Sequence, residues 1–221
     1  MLELVPGATG RPLNVLAVGA HPDDVEIGAG GLLSELARSG TAGCVSVLVL
    51  TGTADRAAEA RASAAEMLVG VEHTVDCHDL PDGRLPAVWG EVKDLLEACA
   101  SRGPRPDLVI GPDPGDAHQD HRTVAQLLPT VFRDGLVLGY EIPKWDGDLG
   151  RRSVYVPLSD EAAQRKADLL MGNFPSQHGR DWYDRDVFLG LARLRGVECR
   201  APYAEAFSCA KTVVRFTTEE R

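Results

Sequence analysis

Leu13 to Leu33, LNVLAVGAHPDDVEIGAGGLL, limits the fold more than any other stretch of the chain. It opens with an apolar, β-branched run, Leu13 to Val18, with the length and content of a buried strand. The run breaks at Gly19-Ala20-His21-Pro22-Asp23-Asp24 and, after Gly28, Gly30 and Gly31, resumes as an amphipathic helix through Leu32, Leu33, Leu36 and Ala37. A strand–loop–helix unit puts its loop at the carboxyl end of the strand, where open α/β sheets keep their ligand sites. This loop carries His21, Asp23, Asp24 and Glu26. Acids packed this closely resist ionising together unless positive charge sits among them. A divalent metal meets that demand. A turn capping the next helix also uses proline and aspartate, and a second cluster downstream is needed to decide between the two.

The rest of the chain alternates. Segments 44–51, 72–78, 107–111 and 136–142 read as further strands, and 54–68, 87–100 and 120–132 as helices, Pro129 kinking or ending the last of them. From Lys144 onward the pattern weakens to a strand at 153–156, a helix over 160–171 and aromatic-rich loops. The succession predicts an α/β fold: a Rossmann-like three-layer sandwich, its mostly parallel sheet flanked by helices and joined by right-handed crossovers. Nothing divides the 221 residues into two units, so a single domain over 1–221 is expected. Within it, 1–142 forms the core and 143–221 a variable part that shapes specificity.

The second cluster is Gly115-Asp116-Ala117-His118-Gln119-Asp120-His121-Arg122. It follows the fourth strand and should therefore emerge on the same sheet edge as His21. His118 and His121, three apart at a helix start, can project in similar directions, and Asp116 or Asp120 can orient an imidazole from behind. Two such clusters at equivalent loops favour a metal over a capped turn. Mixed His and carboxylate ligands with one position left open describe a catalytic rather than a structural site. Imidazoles argue against calcium and magnesium and for zinc or another first-row ion such as ferrous iron.

The segments AHPDDVEIGAGG and HQDHR, in these strand–loop–helix settings, closely resemble the PIG-L/LmbE family of zinc-dependent N-deacetylases. Arg56 and Glu59 in an RxxE position, LPDGRL at 80–85, Phe174 to Gln177 and Tyr203 to Phe207 extend the resemblance over most of the chain. The family's usual acid after the paired Asp is displaced by Val25, leaving Glu26 one place later. The resemblance implies one zinc per chain held by His21, Asp24 and His121, with the site at the carboxyl ends of the strands. It implies Asp23 as general base, His118 as the group that stabilises or protonates the tetrahedral species, and Arg56, Asp82 and Glu59 as contacts to sugar hydroxyls. Asp120 is expected behind a ligand. A solvated helical ion pair is an equally good account of Arg56 and Glu59.

The substrate expected on this basis is a small N-acylated amino sugar or glycoconjugate, or an acylated non-sugar secondary metabolite as the alternative. A nucleotide-binding α/β protein is disfavoured, because the glycines do not make GxGxxG and the acidic loop repels pyrophosphate. A net charge of −10 without a basic patch argues against nucleic acid. No apolar run reaches the roughly 18 residues of a membrane span, and the opening stretch 1–12 lacks a leader pattern. Five cysteines without CxxC spacing suit a reducing cytoplasm. A homo-oligomer is compatible with all of this. His178, Trp182 and Tyr183 lie where a wall specific to the substrate is expected.

Overall fold

The computed structural model describes residues 3–4 and 10–214; most of the stretch read above for a leader falls outside them. Seven strands form one sheet: β1 (Leu13–Gly19), β2 (Ala42–Thr51), β3 (Glu72–Leu80), β4 (Leu108–Pro112), β5 (Leu136–Tyr140), β6 (Val154–Leu158) and β7 (Tyr203–Cys209). Their order is β3-β2-β1-β4-β5-β7-β6. The first five are mutually parallel, and β7 runs antiparallel to both β5 and β6. β1 lies between β2 and β4 and is buried along nearly its whole length, which explains why it reads as a continuous apolar run.

Alternate residues of β1 feed two cores. Val15 and Ala17 pack with α1 (Asp24–Arg38), α2 (Ala54–Met67) and α5 (Asp160–Asn173), whereas Leu16 and Val18 pack with α3 (Trp89–Ser101) and α4 (Gln119–Val131). The three-layer sandwich is therefore as expected. The strand order reverses between β1 and β4, and at such a switch point the loops after two neighbouring strands diverge and leave a crevice. Those two loops are the ones that carry His21 and His118.

Two expectations need correcting. The first helix begins at Asp24, not after the glycines. Its glycines are there for packing: a Cβ on Gly28 would overlap the Tyr140 ring, and one on Gly31 would lie 3.0 Å from the Glu205 carboxyl carbon. Glu205 enters the helix at that point. Its two oxygens accept from the Gly31 and Leu32 N–H groups at 2.7 Å each, and Lys166 Nζ bridges Glu205 and the Ile27 carbonyl at 2.6 Å to both. The Glu205–Lys166 ion pair thus adds partners to backbone groups in the middle of α1 and ties that helix to β7 and α5.

The second correction concerns the part after residue 171, which is more than loops. It contains α6 (Arg185–Cys199) and β7, so one sheet runs across the boundary at 142/143. The stripe that α6 buries is Phe188, Ala192, Arg195 and Gly196, while Leu194 and Val197 are exposed. A buried arginine hides the apolar period. Arg195 is satisfied by Glu141, with Nε and Nη2 each 2.7 Å from a carboxylate oxygen.

Candidate metal centre

Asp23 ends the loop after β1 with φ at 111°, a left-handed conformation, and occupies the N-cap of α1 without a capping bond from its side chain. Non-glycine residues rarely hold this geometry, and it concentrates at functional sites. The turn sends the neighbouring carboxylates to different partners. Asp24 Oδ2 lies 3.4 Å from His21 Nδ1 and 3.2 Å from His121 Nε2, and those two nitrogens are 3.2 Å apart. Asp23 Oδ1 instead faces Arg56 Nη2 at 3.1 Å, and the same Nη2 also donates to the Pro22 carbonyl.

The triangle of His21, Asp24 and His121 can be tested for a metal from its edges and its donors. Ligands about 2.0–2.1 Å from a tetrahedral ion stand roughly 3.3–3.4 Å apart, close to the three edges observed. The donor set is two imidazole nitrogens and a carboxylate oxygen. His121 Nδ1 is 2.7 Å from Asp116 Oδ2, which places the proton on Nδ1 and leaves the Nε2 lone pair facing the triangle. His21 Nε2, on the far side of that ring, lies 3.1 Å from Asp82 Oδ1 and 3.4 Å from Asp120 Oδ2 but makes no well-aligned hydrogen bond. The residues fit a first-row divalent ion.

The electrostatics point the same way. Burial opposes charge on His21 and His121, yet the surrounding carboxylates, Asp24 foremost, outweigh it; His21 is raised well above its ordinary value and His121 to about 9. Burial likewise opposes ionisation of Asp24, and the two imidazoles overcome it and hold that carboxyl well below the usual range. This pocket demands positive charge. Burial drives Asp23 up to about 7, against the pull of Arg56.

His118 is the N-cap of α4, and its Nδ1 accepts from the Asp120 N–H at 3.3 Å, so its Nε2 is the nitrogen left to donate. Burial first, and then its two imidazole neighbours, lower its pKa. Its ring stands 4.9 Å from that of His21 and 4.8 Å from that of His121, centroid to centroid. Asp120, fully buried, accepts from Gly83 N–H at 2.7 Å and Leu85 N–H at 3.0 Å and so fixes the loop that presents Asp82.

Most of the residues singled out from the sequence thus converge: His21, Asp23, Asp24, Arg56, Asp82, His118, Asp120 and His121. Glu59 does not join them. It binds Ser176, with the backbone N–H 2.9 Å and Oγ 2.6 Å from its carboxylate, so Arg56 and Glu59 are not a solvated pair either. Lys144 escaped notice. Its Nζ lies 3.0 Å from Asp116 Oδ1, behind His121, and it also fills the acidic cluster of Asp116, Asp146 and Asp148. A lone lysine 28 positions from its partner leaves no local pattern to find.

This sheet, with its crevice at the switch point, has the α/β fold seen in solved deacetylases and in a hydratase. The chain belongs to the PIG-L family: residues 16–132 match the family profile described as GlcNAc-PI de-N-acetylase. It is 31% identical over 141 residues to the uncharacterized deacetylase YaiS of Escherichia coli, covering 58% of this chain and 74% of that protein. It is 32% identical over 153 residues to diacetylchitobiose deacetylase of Thermococcus kodakarensis, covering 58% of this chain and 55% of that protein. Among solved structures it resembles N,N'-diacetylchitobiose deacetylase of Pyrococcus horikoshii, with a TM-score of 0.69, 22% identity, and 92% and 86% of the two chains covered. It also resembles GalB, a 4-carboxy-2-hydroxymuconate hydratase of Pseudomonas putida, with a TM-score of 0.70, 16% identity, and 94% and 100% covered. Likenesses at these identities define the fold, and the reaction must be argued from the pocket.

Proposed function

We propose that this protein is a zinc-dependent hydrolase that removes an N-acetyl group from the amino sugar of a small glycoconjugate, with His21, Asp24 and His121 as the metal ligands. The observation that carries the proposal is the triangle of their donor atoms with a buried, unligating carboxylate, Asp23, beside it. When bound there, the metal activates water and polarises the amide carbonyl.

The chain's own residues do the rest. Asp23, held by Arg56, accepts a proton from the attacking water at its carboxylate. His118, neutral and with Nδ1 occupied by a backbone N–H, presents Nε2–H to the oxygen that gains charge as the carbonyl is attacked. The proton taken by Asp23 passes to the leaving nitrogen, so water and amide become acetate and a free amine. Asp116 holds the His121 imidazole in orientation from behind, and Asp120 lies behind His21 at 3.4 Å. Arg56, beside Asp23, and the exposed Asp82 supply polar contacts for sugar hydroxyls.

Deacetylase relatives that act on N-acetylated sugars support the substrate class, and five unpaired thiols support a cytoplasmic setting. Among the described residues no helix is long and apolar enough to cross a membrane. The test is acetate and amine release from N,N'-diacetylchitobiose by protein stripped of metal and then given zinc. Release that appears only with metal is expected. No release from any N-acetylated amino sugar by metal-loaded protein would refute the proposal.

A further inference from the structure

Aromatic side chains gather after β5, and the chemistry above uses none of them. Two of them are structural. His178 Nε2 lies 2.8 Å from the Met171 carbonyl oxygen, and the buried Tyr183 donates its hydroxyl to the Leu170 carbonyl at 2.9 Å. Trp145 and Trp182 differ. Trp145 is 64% exposed and yet held in place. Its Nε1–H donates to Asp181 Oδ1 at 2.8 Å, and its ring meets that of Trp182 edge-on, with centroids 6.1 Å apart and planes at 78°. Trp182 Nε1 is buried and has no hydrogen-bond partner.

These rings join two loops that are each tied to the metal pocket. In the loop after β5, Lys144 binds Asp116, the carboxylate behind His121, and Asp148 accepts from the Ala117 N–H at 2.6 Å, one residue before His118. In the loop after α5, Ser176 binds Glu59 on α2, one turn beyond the Arg56 that faces Asp23. The indole pair therefore bridges the His118 and His121 side of the crevice and the Asp23 side, at the carboxyl edge of the sheet.

We infer that Trp145 and Trp182 are specificity-determining residues, a stacking wall for the ring glycosidically joined to the acylated amino sugar. This rests on the deacetylase assignment above. A pyranose presents an apolar C–H face to an indole; Trp145 is the exposed ring that can take it, and the half-buried Trp182 backs it edge-on.

The experiment compares N,N'-diacetylchitobiose with N-acetylglucosamine. Initial rates are measured on the wild type, Trp145→Ala and Trp182→Ala, and calorimetric binding on Asp23→Asn with and without Trp145→Ala. The wild type should prefer the disaccharide in kcat/KM. Each tryptophan variant should cut that preference by about threefold to tenfold, through KM rather than kcat, and Trp145→Phe should restore it. A preference that survives both alanine variants, or a loss equal for both sugars, overturns the wall. If the wild type hydrolyses neither sugar, the deacetylase assignment fails and calorimetry alone judges the wall. Disaccharide binding weakened by Trp145→Ala upholds it, and unchanged or undetectable binding overturns it.

Discussion

Asp23 and Asp24 share a peptide bond and little else. Asp24 looks into two imidazoles, and Asp23 looks at a guanidinium. Asp23→Asn should keep its metal and lose about 10²–10⁴-fold in kcat, and added zinc should not rescue it, because it lacks a proton acceptor. Asp24→Asn should lose metal and recover part of its activity in excess zinc. Metal analysis alongside turnover separates the two, and a depleted Asp23→Asn protein revived by zinc would reverse the roles. His118→Ala should retain metal while kcat falls by about 10²-fold or more, as for the loss of one oxyanion donor; an emptied site would make His118 a ligand. The cluster was legible in the sequence because its members fall in two short runs, each directly after a strand. What no spacing could reveal is the positive φ at Asp23, since a left-handed aspartate has the same letter as any other.

The glycine-rich start of α1 carries the main lesson at the scale of elements. In the sequence it resembles a loop, because three glycines in four positions weaken any helical pattern. In the structure those glycines admit Tyr140 and the carboxylate of Glu205, partners more than a hundred residues away. Glu205→Ala should destabilise the protein by about 2–3 kcal/mol, since it removes a buried carboxylate that accepts from two helix N–H groups and from the part-buried Lys166, and Glu205→Gln should cost less. Urea unfolding measures both, and an effect below about 1 kcal/mol from the alanine would show that the ion pair does not hold the helix. The same argument covers α6 and β7. Their buried faces include Arg195 and Glu205, so apolar periodicity, the signal that revealed the first five strands, was broken by residues whose partners lie elsewhere in the chain.

For the molecule as a whole, the pocket exists because the sheet reverses its order between β1 and β4, so that neither loop alone carries the three proposed ligands. His21 and Asp24 come from one and His121 from the other. A metal shared between them would tie the two halves of the sheet together, and binding to the folded state alone would stabilise it by mass action. Removing the metal with a chelator should therefore lower Tm and zinc should restore it, free zinc at a thousandfold excess over Kd adding about 4 kcal/mol of stability. The most direct test of the account is an anomalous difference map from crystals of active protein, with data collected above and below the absorption edge of the metal found by elemental analysis. One dominant peak per chain is expected, bounded by His21 Nδ1, Asp24 Oδ2 and His121 Nε2, with Asp23 outside the coordination sphere. A peak among Asp116, Asp146 and Asp148, a peak ligated by Asp23, or no peak in protein that still releases acetate would contradict it.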